Sequence, residues 1–155
     1  MKQIQKVDKN LYKLMLGSFP IPCVDVVVEC KEKFLFLKRT EKPAQNEYWF
    51  PGGRLYKNET LEDCIKRKLS EEVGIESYKL IEQIGTFETI FDDGPFDSQS
   101  HTINVTYHVI VDSEEIKKND KFFDDYKWIY RDNEIILKHN YAEYIEGILD
   151  WILLP

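Results

Sequence analysis

Cysteine is scarce in this chain, and the few thiols cannot build a framework. Cys23, Cys30 and Cys64 are odd in number, lack the close pairing of a zinc site and sit within apolar patterns, so they read as buried free thiols in a reducing, cytoplasmic setting. His101 and His108 have no second histidine at metal spacing and read as strand residues rather than ligands. No window approaches ~18 consecutive apolar residues, and the opening MKQIQKVDKN has no apolar signal-peptide core, so no membrane partner is expected. Basic charge is in deficit: 21 Lys and Arg stand against 28 Asp and Glu, a formal net charge of -7. That balance argues against a nucleic-acid partner, which calls for a positive field. With no internal repeat or low-complexity linker, 155 residues have room for one domain, 1–155.

What is present is a foldable mixture, 43% hydrophobic and 14% aromatic. Ile4, Val7, Leu11, Leu14 and Met15 recur at helical spacing, predicting an amphipathic helix over about the first 16 residues, closed by Gly17. Its apolar side is available to its own core or to another subunit. Cys23–Cys30 and Lys33–Lys38 read as a β-hairpin, in which Asp25 is the odd residue, either a solvent-facing strand end or a hydroxyl acceptor in a pocket. Strands are also expected over Tyr78–Phe91, His101–Val111 and from Phe122 to Tyr130, with a turn-rich loop FDDGPFDSQS between the first two. Asp112–Lys121 reads as an exposed turn or short helix. Tyr141–Leu154 closes the chain as an amphipathic helix with Tyr144, Ile145, Ile148, Leu149 and Ile152 inward. This order implies an α/β fold, a mixed sheet between helices.

The stretch from Gly53 to Ile75, GRLYKNETLEDCIKRKLSEEVGI, carries the chemistry. Thr60-x-x-Asp63 begins a helix and Gly74 ends it, so Leu61–Val73 is predicted helical. At 100° per residue, Arg67, Lys68, Glu71 and Glu72 share one sector of about 140° at the edge of the buried face. Carboxylates there suit a hard divalent cation such as Mg²⁺, and Gly52 and Gly53 let bare backbone approach an ion or phosphate. Arg39 and Arg54 are either surface cations or a clamp on phosphate oxygens. Tyr12, Trp49 and Tyr56 are equally readable as base-stacking rings, core or rim.

The same stretch resembles the Nudix box, Gly-x5-Glu-x7-Arg-Glu-apolar-x-Glu-Glu-x-Gly-apolar: Gly53, Glu59, Arg67, Leu69, Glu71, Glu72, Gly74 and Ile75 all match. Lys68 departs, placing a cation where the family has a glutamate able to bind metal. Beyond the box, Asp25, Lys38-Arg-Thr, Pro43-Ala-Gln45, Tyr48-Trp-Phe-Pro-Gly-Gly-Arg54, Phe91-Asp-Asp and Asp124-Asp-Tyr-Lys-Trp128 are similar to the GDP-mannose mannosyl hydrolase group, which also lacks that glutamate. The resemblance implies a Nudix α/β/α sandwich, often a homodimer with the N-terminal helix at its interface. It also implies one Mg²⁺ on the Gly52 carbonyl and Glu72, a nucleotide-sugar substrate held by Asp25, and Arg39 and Arg54 stabilising a departing diphosphate. That group has Gln-His, a metal ligand and a general base, where this chain has Phe122 and Phe123. Phenylalanine can do neither job, which leaves Asp124 or Glu71 as candidate base. Three readings stay open: hydrolysis of a GDP-mannose-like nucleotide sugar to nucleoside diphosphate and sugar, a pyrophosphatase attacking phosphorus, and a non-catalytic nucleotide-sensing domain.

Overall fold

The computed structural model describes residues 7–133, 136, 138 and 140–153. Helix α1 (Lys9–Leu16) starts where Asp8 accepts hydrogen bonds from the Asn10 and Leu11 amides, and the helix is shorter than its apolar pattern suggested. Ile4 lies outside the described residues, Leu16 is buried, and Leu11 and Leu14 face solvent. Strands β1 (Ile21–Cys30), β2 (Lys33–Arg39), β3 (Tyr48–Trp49) and β4 (Gly52–Arg54) follow. Then come helix α2 (Leu61–Lys68), β5 (Lys79–Gly94), β6 (Ser98–Ile110), β7 (Phe123–Ile129) and α3 (Ala142–Leu153). Leu154, the last residue of the expected closing helix, lies outside the described residues.

The strands make one mixed sheet ordered β3-β2-β1-β6-β5, with β4 paired to β1 and β7 to β2. β1 runs parallel to β6 over Ile21–Glu29, and the other pairings are antiparallel. β1 lies inside the sheet and is covered on both faces, so its side chains divide by parity. Val24, Val26 and Val28 join Ile65, Leu69 and Val73 in one core; Val27 joins Ile145, Ile148 and Leu149 of α3 in the other. β2 divides likewise, Leu35 and Leu37 to the first core and Phe34 and Phe36 to the second. The mixed sheet between helices is therefore as expected.

One expectation changes in detail and one is narrowed. The segment FDDGPFDSQS is not a long loop: β5 continues to Gly94, a single 3-10 turn covers Pro95–Asp97 and β6 begins at Ser98, because the backbone pairing persists to Gly94 and Ser98. Residues 112–121 form an irregular connection that ends in a turn over 120–122, the turn rather than the helix of the two alternatives. It is tied down by Lys117 N to Val73 O, by Asn119 Nδ2 to Glu71 O and by Trp128 Nε1 to Glu114 O.

α2 opens with a complete capping box: Asp63 N donates to Thr60 Oγ1 at 3.1 Å and Thr60 N to Asp63 Oδ2 at 3.4 Å. After Lys68 the helix widens into one π turn, Leu69–Val73, before Gly74 ends it at φ 68°. The extra residue in that turn changes which side chains face inward. Thr60→Ala removes one half of the box and is expected to cost about 1 kcal/mol of stability, measured by denaturant unfolding.

Candidate functional site

The Arg67 guanidinium organises the site from below. Its Nε donates to Glu59 Oε1 at 2.6 Å and its Nη2 to Glu59 Oε2 at 3.0 Å and to the Arg54 carbonyl at 3.1 Å. Burial works to raise the Glu59 carboxyl, but Arg67 and the Tyr56 amide outweigh it and leave it below the ordinary range. The Tyr56 ring covers Arg67, 4.1 Å from guanidinium carbon to ring centroid. This fastens the loop carrying β4 to α2, and it places Gly52, Gly53 and Arg54 over the edge of the sheet.

Above them is a cavity of about 690 Å³, large enough for a nucleotide-sized ligand. One side carries Arg39, Arg54 and Lys68. Arg39 is anchored by Nε to the Pro43 carbonyl at 2.7 Å. Arg54 lies under the Tyr12 ring at 4.0 Å, with Tyr56 at 5.5 Å, and its buried Nη1 has no hydrogen-bond partner. A buried donor without a partner is costly, and an anionic oxygen in the cavity would satisfy it. Gly52 admits no side chain, because a Cβ there would stand 2.3 Å from the Val24 carbonyl and 2.8 Å from Asp25 Oδ1.

The other side is a polar wall. Asp25 does not point to solvent: only 5% exposed, it shares the face of β1 that carries Val27 and accepts from the Tyr144 hydroxyl of α3 at 2.8 Å. Burial pushes the Asp25 carboxyl up to about 6, against Tyr144, Arg39 and Trp49, which pull it down. Beside it, Asn104 Nδ2 donates to Thr89 Oγ1 at 3.1 Å, and the Thr89 and Thr102 hydroxyls meet at 2.5 Å. Thr89, Thr102 and Asn104 line the cavity with Asp25. The sequence reading missed these three and, while placing Tyr144 correctly on the core side, missed its bond to Asp25. For Thr102 and Asn104 the signal was the alternation of polar and apolar residues over Thr102–Thr106 of β6, and for Thr89 on β5 there was none.

The structure thus brings Asp25, Arg39, Gly52 and Arg54 to one cavity and leaves Glu71 and Asp124 away from it. The Glu71 side chain is 49% exposed and held by Arg67 Nη1 at 3.4 Å. Asp124 is exposed on β7, where the register with β2 shifts beside Lys38 and Arg39. Phe123 is fully buried in the core. Tyr12, Tyr56 and Trp49 all line the cavity; Trp49 is also buried in the core, stacked on Tyr144 with ring centroids 5.3 Å apart. His101 and His108 pair with Glu88 and Glu29, away from the site. Cys23 and Cys64 are free thiols pushed up to about 12 by burial, consistent with inert packing groups.

Glu72 lies within the π turn and is 7% exposed. One carboxylate oxygen pairs with the Lys68 ammonium and the other accepts from the Gly52 amide at 3.3 Å. Both oxygens of Glu59 are taken by Arg67. Among the described residues no group of three or more His, Cys, Asp or Glu side chains is placed to hold a metal ion. The donor set as arranged therefore does not fit a divalent ion, because Glu72 already has a cation on it and the other buried carboxylates, Asp25 and Glu59, are engaged by Tyr144 and Arg67.

The NUDIX domain model matches residues 20–152. The chain belongs to the Nudix family. Members of this family that are hydrolases generally use a divalent metal, typically Mg²⁺, and act on nucleotide-derived substrates. This Nudix chain is 30% identical over 128 residues to an ADP-ribose pyrophosphatase of Methanocaldococcus jannaschii, covering 79% of this chain and 72% of that one. It is 26% identical over 118 residues to the low-salt glycan biosynthesis protein Agl8 of Haloferax volcanii, covering 75% of each. In fold it is similar to the NUDIX domain of Shewanella oneidensis NrtR, solved in complex with ADP-ribose, with a TM-score of 0.67 at 18% identity, covering 96% of this chain and 100% of that chain. No helix among the described residues is long and apolar enough to cross a membrane.

Because Asp25 holds its proton more tightly folded than unfolded, its contribution to stability is present below about pH 4 and is lost as pH rises through about 6. Asp25→Asn keeps an oxygen for Tyr144 and removes the charge. Denaturant unfolding across pH 4 to 7 is expected to show wild type losing up to about 3 kcal/mol relative to the variant as pH rises.

Proposed function

We propose that this protein hydrolyses a nucleoside diphosphate joined to a sugar, a class that includes ADP-ribose and GDP-mannose, with water attacking phosphorus. The observation that carries the reading is the buried, unpartnered Arg54 Nη1 in a cavity also lined by Asp25, Thr89 and Asn104. A cationic side takes the diphosphate, and a hydroxyl-accepting side takes the sugar. Family membership and the similarity to an ADP-ribose pyrophosphatase support a nucleotide-derived substrate.

Release of intact GDP by attack at the sugar carbon, implied by the mannosyl hydrolase resemblance, finds less support. The positions of that group's metal ligand and base hold Phe122 and Phe123, and Asp124 stands outside the cavity. Arg39 and Arg54 can stabilise the leaving group in either reaction, so the absent ligand and base, not the clamp, tell against attack at carbon. A binding-only domain is the second reading, favoured by the cation already paired with Glu72. A homodimer through α1 fits the exposure of Leu11, Leu14 and Phe19; sedimentation of the full chain against a deletion of residues 1–16 is expected to show dimer for the first and monomer for the second.

Turnover of ADP-ribose and GDP-mannose in ¹⁸O-labelled water checks the reaction. Nucleoside monophosphate and sugar phosphate, with label on phosphate, are expected. Labelled free sugar with intact nucleoside diphosphate overturns attack at phosphorus. A rise in melting temperature with ligand but no turnover moves the protein to the binding-only reading. Arg54→Ala and Arg39→Ala are each expected to lower kcat more than they raise KM, by about 100-fold in kcat for Arg54, the scale of losing one preorganised donor.

A further inference from the structure

The residue that departs from the Nudix box is also a buried charge at the cavity. Lys68 is only 7% exposed. A buried ammonium is costly unless it is paired, so its surroundings must be built for it. They are built from three sides. Glu72, one helical turn on, pairs with it. The Phe122 ring faces it, with Nζ 4.8 Å from the centroid. The Gly53 backbone lies against it, so close that a Cβ at Gly53 would stand 3.3 Å from Nζ.

Lys68 departs from the general Nudix box, which has a glutamate there, and Phe122 departs from the mannosyl hydrolase group, which lacks that glutamate and has a glutamine in place of Phe122. Each departure puts a residue that is not an oxygen donor where one of the two patterns has one. In this chain the two substitutions touch each other. Phenylalanine is useless to a metal ion but offers a ring face to an ammonium, an attraction that grows as water is removed. The replacement is therefore not the loss of two ligands independently. It is the exchange of one kind of cation for another.

The order of these groups gives the ammonium its direction. Lys68 lines the large cavity together with Arg39, Arg54 and Gly53, and it also lines a smaller adjoining cavity of about 170 Å³. Glu72 lines only the smaller one. The carboxylate thus stands behind the ammonium, as seen from the ligand space. Of the three N–H donors on an ammonium, Glu72 takes one, and Lys68 has no other hydrogen-bond partner among the described residues.

We infer that Lys68 is the resident cation of this site. It takes a diphosphate oxygen at the place where other Nudix proteins use a divalent ion, so that ligand binding here is independent of divalent metal. This rests on the cavity being a diphosphate site. The ammonium lies between the two layers it serves, Glu72 behind and the phosphate in front. An approaching divalent ion meets a positive charge in contact with Glu72, and must displace it before that carboxylate can coordinate.

Two measurements on the wild-type chain decide the matter without any variant. Calorimetric titration with ADP-ribose and with GDP-mannose, in EDTA and in millimolar Mg²⁺, is expected to give dissociation constants within about twofold of each other. Titration with Mn²⁺ alone, followed by electron paramagnetic resonance, is expected to show no site tighter than millimolar. An affinity for either ligand raised more than about tenfold by Mg²⁺ overturns the inference, as does a micromolar Mn²⁺ site that Glu72→Gln abolishes. Lys68→Met, checked for an unchanged far-UV spectrum, is expected to weaken binding in EDTA by about tenfold or more, while Lys68→Arg retains most of it. Lys68→Glu is expected to gain a Mn²⁺ site shared with Glu72. If neither ligand binds under any condition, the diphosphate reading fails, and the Mn²⁺ titrations still test the metal half of the inference separately.

Discussion

The site depends on the bidentate pair between Arg67 and Glu59. These two residues lie on different segments, one on the face of α2 and one in the loop before it, and both are largely removed from water. An ion pair in such a place gains little net stability, because desolvation consumes most of the attraction. What it supplies is geometry. A planar guanidinium bound through two nitrogens to two oxygens, with a further bond to the Arg54 carbonyl and a tyrosine ring on its face, leaves the loop one orientation. Gly52, Gly53 and Arg54 are positioned by that constraint, and with them the cationic side of the cavity.

The opposite side depends on the sheet. β1 pairs in parallel with β6 and in antiparallel with β4, so Asp25 stands level with Thr106 on one neighbour and with Gly52 on the other. A carboxylate on an interior strand with both faces covered would be a liability in an ordinary core. Here it is tolerated because it borders the cavity and receives the Tyr144 hydroxyl. The polar residues of β6 extend the same surface. Burial therefore raises the affinity of Asp25 for its proton, and the fold carries that cost at a place where a ligand hydroxyl can use the oxygens.

Departures from a family pattern are often weighed one at a time, and then Lys68 and Phe122 both look like losses. Together they form one arrangement: a cation, an anion behind it, an aromatic face beside it and bare glycine backbone next to it. Phe123 belongs to a different story. It replaces a histidine with a fully buried core ring, so β7 serves packing at the position where the resembled group keeps a base.

Much of this protein was legible in its sequence, for identifiable reasons. The strand parities, the capping box at Thr60 and Asp63, the stop at Gly74 and the Arg67–Glu59 spacing are local patterns, and local patterns follow from backbone geometry alone. The family followed from the same spacing. Tertiary structure decided the rest. Helical spacing put Glu71 and Glu72 together at the edge of the buried face; packing decided which met water, Glu72 lying against Lys68 and the Gly52 amide and Glu71 at the surface against Arg67. Whether Asp25 met water or a pocket depended on Tyr144, 119 residues away in sequence. The pairing of Lys68 with Phe122 depended on β7 and the connection before it passing beside α2. Such contacts are set by how elements pack in three dimensions, and no period along the chain encodes them.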